Sequence, residues 1–165
     1  MTDLPLSGIR VVDLSRVFAM PYAGAYLADL GAEVIKVDCC QAQFVDTTRT
    51  LNGPYPDNDP GELYWERAGT FQTLNRGKRS VTLNLKSEEG KDILRRLVAD
   101  ADVLVENYAP GVMDRLGIGY ETLREEFPAL VYCSLSGFGR TGPYAERAGF
   151  DLVAQGMSGL MSITG

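Results

Sequence analysis

The stretch from Gly8 to Asp38 limits the fold more than any other part of the chain. Gly8-Ile9-Arg10-Val11-Val12-Asp13-Leu14 is a short apolar run with β-branched residues, which reads as a buried strand. Ser15 to Met20 turns the chain, and a helix begins near Pro21, a residue suited to a first helical turn, and runs through AYLADL to Leu30. Gly31 caps that helix, and Glu33-Val34-Ile35-Lys36-Val37-Asp38 forms a second strand. Strand, helix and strand in this order make a βαβ unit, so the two strands are parallel and their crossover is expected to be right-handed. The fold class is therefore α/β.

A βαβ opening raises the question of a dinucleotide, with Asp38 where a ribose-binding acid would stand. The glycines oppose it: Ser15-Arg16-Val17-Phe18-Ala19-Met20-Pro21 contains none, and the first comes only at Gly24. A pyrophosphate could not approach such a turn as the dinucleotide fingerprint requires. A second ligand edge is offered by ADVLVENYAPGVMDRLGIG, Ala101 to Gly119. Asp102 to Glu106 reads as a strand, Asn107 and Tyr108 stand at its end, and Pro110-Gly111 stops it before a short helix, Val112 to Leu116, that carries Arg115. Ligands of open α/β sheets bind beyond the carboxyl ends of the strands, so the Asn107 amide and the Tyr108 ring can face one. Asn107 as a mere turn former is an equal alternative.

Between these stretches, Cys39 to Gly77 loses any period and reads as a long loop anchored by Tyr64-Trp65 and Phe71. Asn75 to Ser80 places Arg76, Lys78 and Arg79 within four positions, either a solvated loop or a site for phosphate groups. The alternating strand Val81 to Leu85 follows, closed by Lys86. Ser87 then caps a helix that has Glu88 and Glu89 in its first turn and Ile93, Leu94, Leu97 and Val98 on one face. Further on, Tyr120 to Phe127 reads as a helix and Ala129 to Ser134 as a buried strand. Gly137 to Pro143 is a glycine-rich loop, Asp151 to Met157 a helix, and Ser158 to Gly165 a tail without a cap or a closing strand.

Composition narrows the chemistry. A chain of 165 residues can bury one core, so one domain is expected. The net charge of −6 and the lack of a basic tract argue against nucleic acid and against an anionic membrane. No apolar run approaches ~18 residues and Met1 to Gly8 lacks a leader-like pattern, so a cytoplasmic location is expected. The three cysteines, Cys39, Cys40 and Cys133, have no metal-ligand spacing and are taken as reduced thiols. The absence of histidine removes Ser–His triads, histidine bases and the commonest zinc sites, leaving carboxylates, Lys, Tyr and Cys for acid-base or nucleophilic work.

Five stretches, taken in order, resemble one family. LSGIRVVDLSRV, LADLGAEVIKVD, LNRGKRSVTLNLKSEEG, ADVLVENYAPGVMDRLGIGYETL and LVYCSLSGFGRTGPYAERAGFDLVAQGMSGLMSITG are similar to the class III CoA-transferases. That group includes formyl-CoA transferase, carnitine CoA-transferase and α-methylacyl-CoA racemase. The resemblance implies a doubly wound, mostly parallel, Rossmann-like sheet, with this chain the N-terminal part of a CoA-binding large domain and no second domain within it. It implies coenzyme A or an acyl-CoA as substrate rather than a tightly held cofactor, a carboxylic acid as the other substrate, and an interlocked homodimer for the full-length protein. Carried over by position, the CoA contacts would fall on Phe18 and Ala19, on Leu83, Asn84, Leu85 and Lys86, on Asn107, Tyr108 and Ala109, on Arg115, and on Ala148, Gly149, Phe150 and Asp151.

Lys86 and Arg115 suit phosphates, Tyr108 and Phe150 suit the adenine or the pantetheine arm, and Asn107 suits amides. The chain departs from the family pattern at Phe18, which is often polar there, and at Cys39-Cys40, where a basic residue or a proline is common. The racemase branch has a histidine at the place of Phe150, so the resemblance implies CoA transfer in preference to racemisation. The aspartate that does the family's chemistry would lie beyond Gly165, so no catalytic residue is assigned within this chain. The alternative is a non-catalytic, truncated CoA-binding or dimerising module.

Overall fold

The computed structural model describes residues 4–41, 45–50 and 53–164. Of the sequence expectations, those that touch residues 1–3, 42–44, 51–52 and Gly165 lie outside the described residues. Among the described residues, five strands form one sheet: β1 (Arg10–Asp13), β2 (Glu33–Cys39), β3 (Arg79–Leu83), β4 (Val103–Glu106) and β5 (Val131–Ser134). Their order is β3-β2-β1-β4-β5, and every neighbouring pair is parallel. Val12 lies between Ile35 of β2 and Leu104 of β4, so β1 is the middle of the sheet.

Helices cover both faces, and the strand period of two decides which residue meets which helix. On one face Val11, Val34 and Val105 pack with Met20 of α1 (Ala19–Asp29). On the other, Val12, Leu14, Val37 and Leu104 pack with Leu94 and Val98 of α4 (Glu88–Ala99), Met113 of α5 (Val112–Arg115) and Leu123 of α6 (Tyr120–Glu126). The sheet is thus doubly wound, as expected. Gly31 adopts φ +102 just past α1, and the Ser87 hydroxyl accepts from Gly90 N at the start of α4, so both expected caps are present.

Several expectations need correction. Cys39 to Gly77 is not one structureless loop: it contains a 3-10 turn at Thr47–Arg49, another at Pro56–Asn58, and helices α2 (Tyr64–Arg67) and α3 (Gly69–Asn75). Of its three expected anchors only Phe71 is buried, with Ala68 and Leu74, while Tyr64 and Trp65 stack edge to face on the surface. β3 runs from Arg79 to Leu83 and not from Val81 to Leu85, because the Asn84 side chain accepts Lys86 N and its carbonyl accepts Ser87 N, which turns the chain. Ile93 is exposed; the buried stripe of α4 is Gly90, Leu94 and Val98.

β5 is an edge strand rather than a buried one. Tyr132 packs on the apolar core, but Val131 is exposed on the α1 side, where no described helix reaches it. The chain then continues through α7 (Asp151–Met157), as expected, into α8 (Met161–Thr164), where no element was expected. Neither helix contains a buried residue. No helix among the described residues is long and apolar enough to cross a membrane.

Candidate functional site

The strand order reverses between β1 and β4, so the sheet has its switch point there, and a crevice is expected beyond the carboxyl ends of these strands. Each strand that ends near this point leaves the sheet through the same local device. A side chain at the strand end accepts the backbone N–H two residues on: Asp13 from Ser15 at 2.8 Å, Cys39 from Gln41 at 3.5 Å, Asn84 from Lys86 at 3.1 Å and Glu106 from Tyr108 at 2.8 Å. Such turns fix the first residues beyond the strand without long loops. The β3 exit also needs Gly90, because a Cβ there would come within 2.0 Å of the Asn84 carbonyl oxygen.

The β1–α1 turn is held more completely than the others. Ser15 Oγ donates to Asp13, and Ser15 O accepts from Lys36 Nζ at 2.8 Å. Arg16 is gripped on both sides by the Asn107 amide, whose Oδ1 accepts Arg16 N and whose Nδ2 donates to Arg16 O, both at 2.8 Å. Val17 N points to the Asp46 carboxylate at 3.3 Å, and Val17 adopts φ +71, a left-handed conformation that a β-branched residue rarely takes. Side chains from β2, from the end of β4 and from the segment after β2 thus force one conformation on three consecutive residues. Asn107 crosses the switch point to do this.

Behind the turn lies a row of buried charges on the α1 side of the sheet. Asp13 pairs with Lys78 at 2.7 Å, Lys36 with Asp46 at 3.4 Å, and Asp38 with Arg49 at 2.6 Å. Arg49 also reaches Glu66 at 2.8 Å and lies 3.7 Å above the Phe71 ring, which ties α2 and α3 to the sheet. Lys78 further donates to Pro21 O and Asn75 Oδ1. Burial pushes the Lys78 pKa down, and the Asp13 carboxylate opposes that shift. The three cations after Asn75 therefore separate: Lys78 is buried against Asp13, whereas Arg76 and Arg79 stay on the surface as ion pairs with Asp29 and Glu33, as a solvated loop would have them.

At the carboxyl edge opens a groove of about 290 Å³, at the lower end of the range for ligand pockets. Its walls come from the ends of β1 (Arg16), β2 (Val37, Asp38, Cys39 and Gln41), β3 (Leu83, Asn84, Leu85 and Lys86) and β4 (Tyr108), with Val112 and Leu116 beside α5. Burial raises the Tyr108 pKa against the lowering effect of Arg16, so its hydroxyl stays neutral at ordinary pH and can donate a hydrogen bond. A smaller cavity of about 10 Å³ adjoins it, lined by Glu106, Ala109, Ser134 and Arg140 among others, room for about one water.

Of the residues singled out from sequence, Leu83, Asn84, Leu85, Lys86 and Tyr108 come together in the groove, and Ala109 lines the small cavity. Asn107 stands beside them with its amide engaged on Arg16. Phe18 and Ala19 sit exposed at the start of α1, Arg115 is exposed on α5, and Ala148 to Asp151 are exposed, where Gly149 packs against Gly137; none of these lines either cavity. Sequence reasoning missed Arg16, Val37, Cys39, Gln41 and the apolar floor at Val112 and Leu116. For Arg16 the available signal was its place, a cation just past the first strand.

The model of the CoA-transferase family III matches residues 6–165. The chain belongs to that family. Among its relatives, the succinate–glutarate CoA-transferase of Agrobacterium fabrum is 49% identical over the whole chain. The succinyl-CoA:glutarate CoA-transferase of Homo sapiens is 44% identical over 98% of it. The chain spans 42% and 34% of the length of these two proteins. Among solved structures, a CAIB/BAIF family protein from Brucella suis superimposes with a TM-score of 0.89 at 47% identity, over 99% of this chain and 42% of that one.

Proposed function

We propose that the full-length protein carrying this chain is an acyl-CoA:carboxylate CoA-transferase, and that residues 1–165 are the N-terminal part of its CoA-binding domain. The family match over residues 6–165 carries this reading, and the groove at the switch point supports it. In this reading the groove receives part of the CoA molecule. Lys86 meets a phosphate, Tyr108 covers an apolar part of CoA, and the tightly turned backbone of Asn84 to Lys86 frames it. Phe18, Ala19, Arg115 and Ala148 to Asp151 come into play farther along the same ligand, outside the groove.

The chemistry belongs to an aspartate beyond Gly165. Its carboxylate attacks the thioester carbonyl and expels CoA thiolate, giving a mixed anhydride. The thiolate then attacks the aspartyl carbonyl of the anhydride and releases the donor carboxylate, which leaves an aspartyl-CoA thioester. The acceptor carboxylate enters by the same two steps in reverse, so every bond broken is matched by one formed. Relatives named for succinate and glutarate make dicarboxylic acids the first acceptors to test. We further propose that the whole protein is an interlocked homodimer.

The test is a donor and acceptor screen on the full-length protein, starting with succinyl-CoA and glutarate, read by mass spectrometry. Exchange of CoA between acids, with an aspartyl-CoA adduct when the acceptor is withheld, is the expected result. No exchange with any dicarboxylate or monocarboxylate pair would sink the reading.

A further inference from the structure

Arg16 differs from the other cations enclosed around it. Lys36, Arg49 and Lys78 each face a carboxylate, whereas Arg16 makes no ion pair among the described residues. Its Nη2 donates to Val45 O at 2.9 Å, and its Nε is buried without an acceptor. A guanidinium carries five donors, so a half-buried one with a single protein acceptor at the wall of the groove keeps donors uncommitted for an anionic oxygen of a ligand.

The fold nevertheless fixes this residue firmly. Asn107 holds its N–H and its carbonyl, Lys36 holds the residue before it, and Asp46 the residue after it. The side chain so anchored forms one wall of the groove, together with Asn84, Lys86 and Tyr108.

We propose that Arg16 is an anion-binding residue of this groove, donating charge-assisted hydrogen bonds to a phosphate or carboxylate oxygen of the ligand. Asn107 is then a positioning residue, acting through the backbone of Arg16. The proposal rests on the CoA reading above and adds to it a contact at a position outside those carried over from the family. The anionic oxygen has two sources, the phosphates of CoA and the carboxylate of the acceptor acid.

The test uses the full-length protein with CoA, 3′-dephospho-CoA and glutarate as probes, comparing the wild type with Arg16→Gln and Arg16→Lys. Gln keeps a donor for Val45 O but removes the charge, and Lys keeps the charge without the planar fork. Arg16→Gln should weaken CoA binding by about tenfold to a hundredfold, with Arg16→Lys between it and the wild type, as expected for charged hydrogen bonds. The dependence of affinity on salt should also flatten in the Gln variant, a change that loss of a mere strut to Val45 would not produce.

An equal loss with 3′-dephospho-CoA assigns the contact to the diphosphate, and a loss that vanishes with it assigns the 3′-phosphate. Unchanged CoA affinity with a raised KM for glutarate assigns the acceptor carboxylate. A wild type that binds CoA, with both variants matching it in CoA affinity, salt dependence and glutarate KM, overturns the role of Arg16 alone. A wild type that binds neither CoA nor glutarate overturns the CoA reading and this inference together.

Discussion

The two faces of the one sheet are built on different principles. The face under α4, α5 and α6 is apolar from Val12 and Leu14 through Leu94, Val98, Leu104 and Leu123. The face under α1 and α3 begins with Val11 and Val34 but, toward the carboxyl edge, changes to Asp13, Lys36 and Asp38, all buried. The apolar face lowers the free energy of folding by removing area from water, without selecting one conformation for any loop. The charged face contributes less net stability, because desolvation offsets most of the attraction between paired ions. Its bonds are directional, however, and they end on the β1–α1 turn and on the segment Asp46 to Arg49. One face holds the fold, and the other shapes the edge where the ligand is proposed to bind.

The largest effect that could break this contrast comes from separating a buried pair. Lys78→Met leaves Asp13 buried with only Ser15 as a partner, and a loss of about 3–5 kcal/mol is expected in denaturant titrations of the full-length protein. Replacing both partners, Asp13→Leu with Lys78→Met, should recover most of that stability while freeing Ser15 and weakening CoA binding. If the double variant binds CoA as tightly as the wild type, the charged face does not position the turn. On the apolar face, Leu94→Ala should cost about 2–5 kcal/mol by opening a cavity under α4. The affinity of the molecules that remain folded should not change, and an affinity loss there would erase the distinction between the faces.

A smaller and more local effect is expected at the switch point. Asn107→Ala leaves both Arg16 N and Arg16 O without their partners, at a cost of about 1–3 kcal/mol. CoA affinity should fall with it even at temperatures well below unfolding, because Val17 can then relax from φ +71. Calorimetry that shows a lower melting temperature with unchanged CoA affinity would make Asn107 a structural residue only.

How far the sequence could be read depends on where each signal resides. The βαβ opening was legible because two apolar β-branched runs flank a helix closed by Gly31, and each signal is local. The β3 boundary was misplaced by two residues because the alternation in Val81 to Leu85 continues past the point where Asn84 turns the chain. Helix α3 was missed because Phe71 and Leu74 are its only buried residues, too few to show a period against the Asp, Asn and Pro around them. The charged face could not be read at all. Lys36 looks like a solvent-facing interruption of a strand until Asp46, ten residues on, is brought beneath it. The candidate site shows the same division: Leu83 to Lys86 and Tyr108 are legible as strand ends, but that the Asn107 amide is used to hold Arg16 is a tertiary fact spanning 91 residues.

The smallest expected effect concerns pH, and it compares one polar atom on the apolar side with one on the charged side. Tyr132 packs against the apolar core with Oη buried and without a hydrogen-bond partner. Burial, reinforced by the nearby Glu106 carboxylate and only partly opposed by the Arg140 guanidinium, pushes its pKa well above the ordinary tyrosine value. The unfolded chain therefore loses this proton first, near pH ~10, so the stability tied to the neutral phenol is fully present below that pH and declines as pH rises toward the folded value. Lys78 has the opposite sign: burial lowers its pKa, the folded protein releases that proton before the unfolded chain does, and stability rises with pH up to ~10.4. The two contributions overlap, so the informative quantity is the difference between wild type and Tyr132→Phe, in which the Lys78 contribution cancels. At neutral pH the variant should equal or slightly exceed the wild type, since it buries no unpaired hydroxyl. Above pH ~10 the difference should grow in favour of the variant. Urea midpoints measured from about pH 8 to about pH 11 test this, and a flat difference would mean that the Tyr132 hydroxyl is hydrated in solution, so that the apolar face is less dry than its neighbours make it.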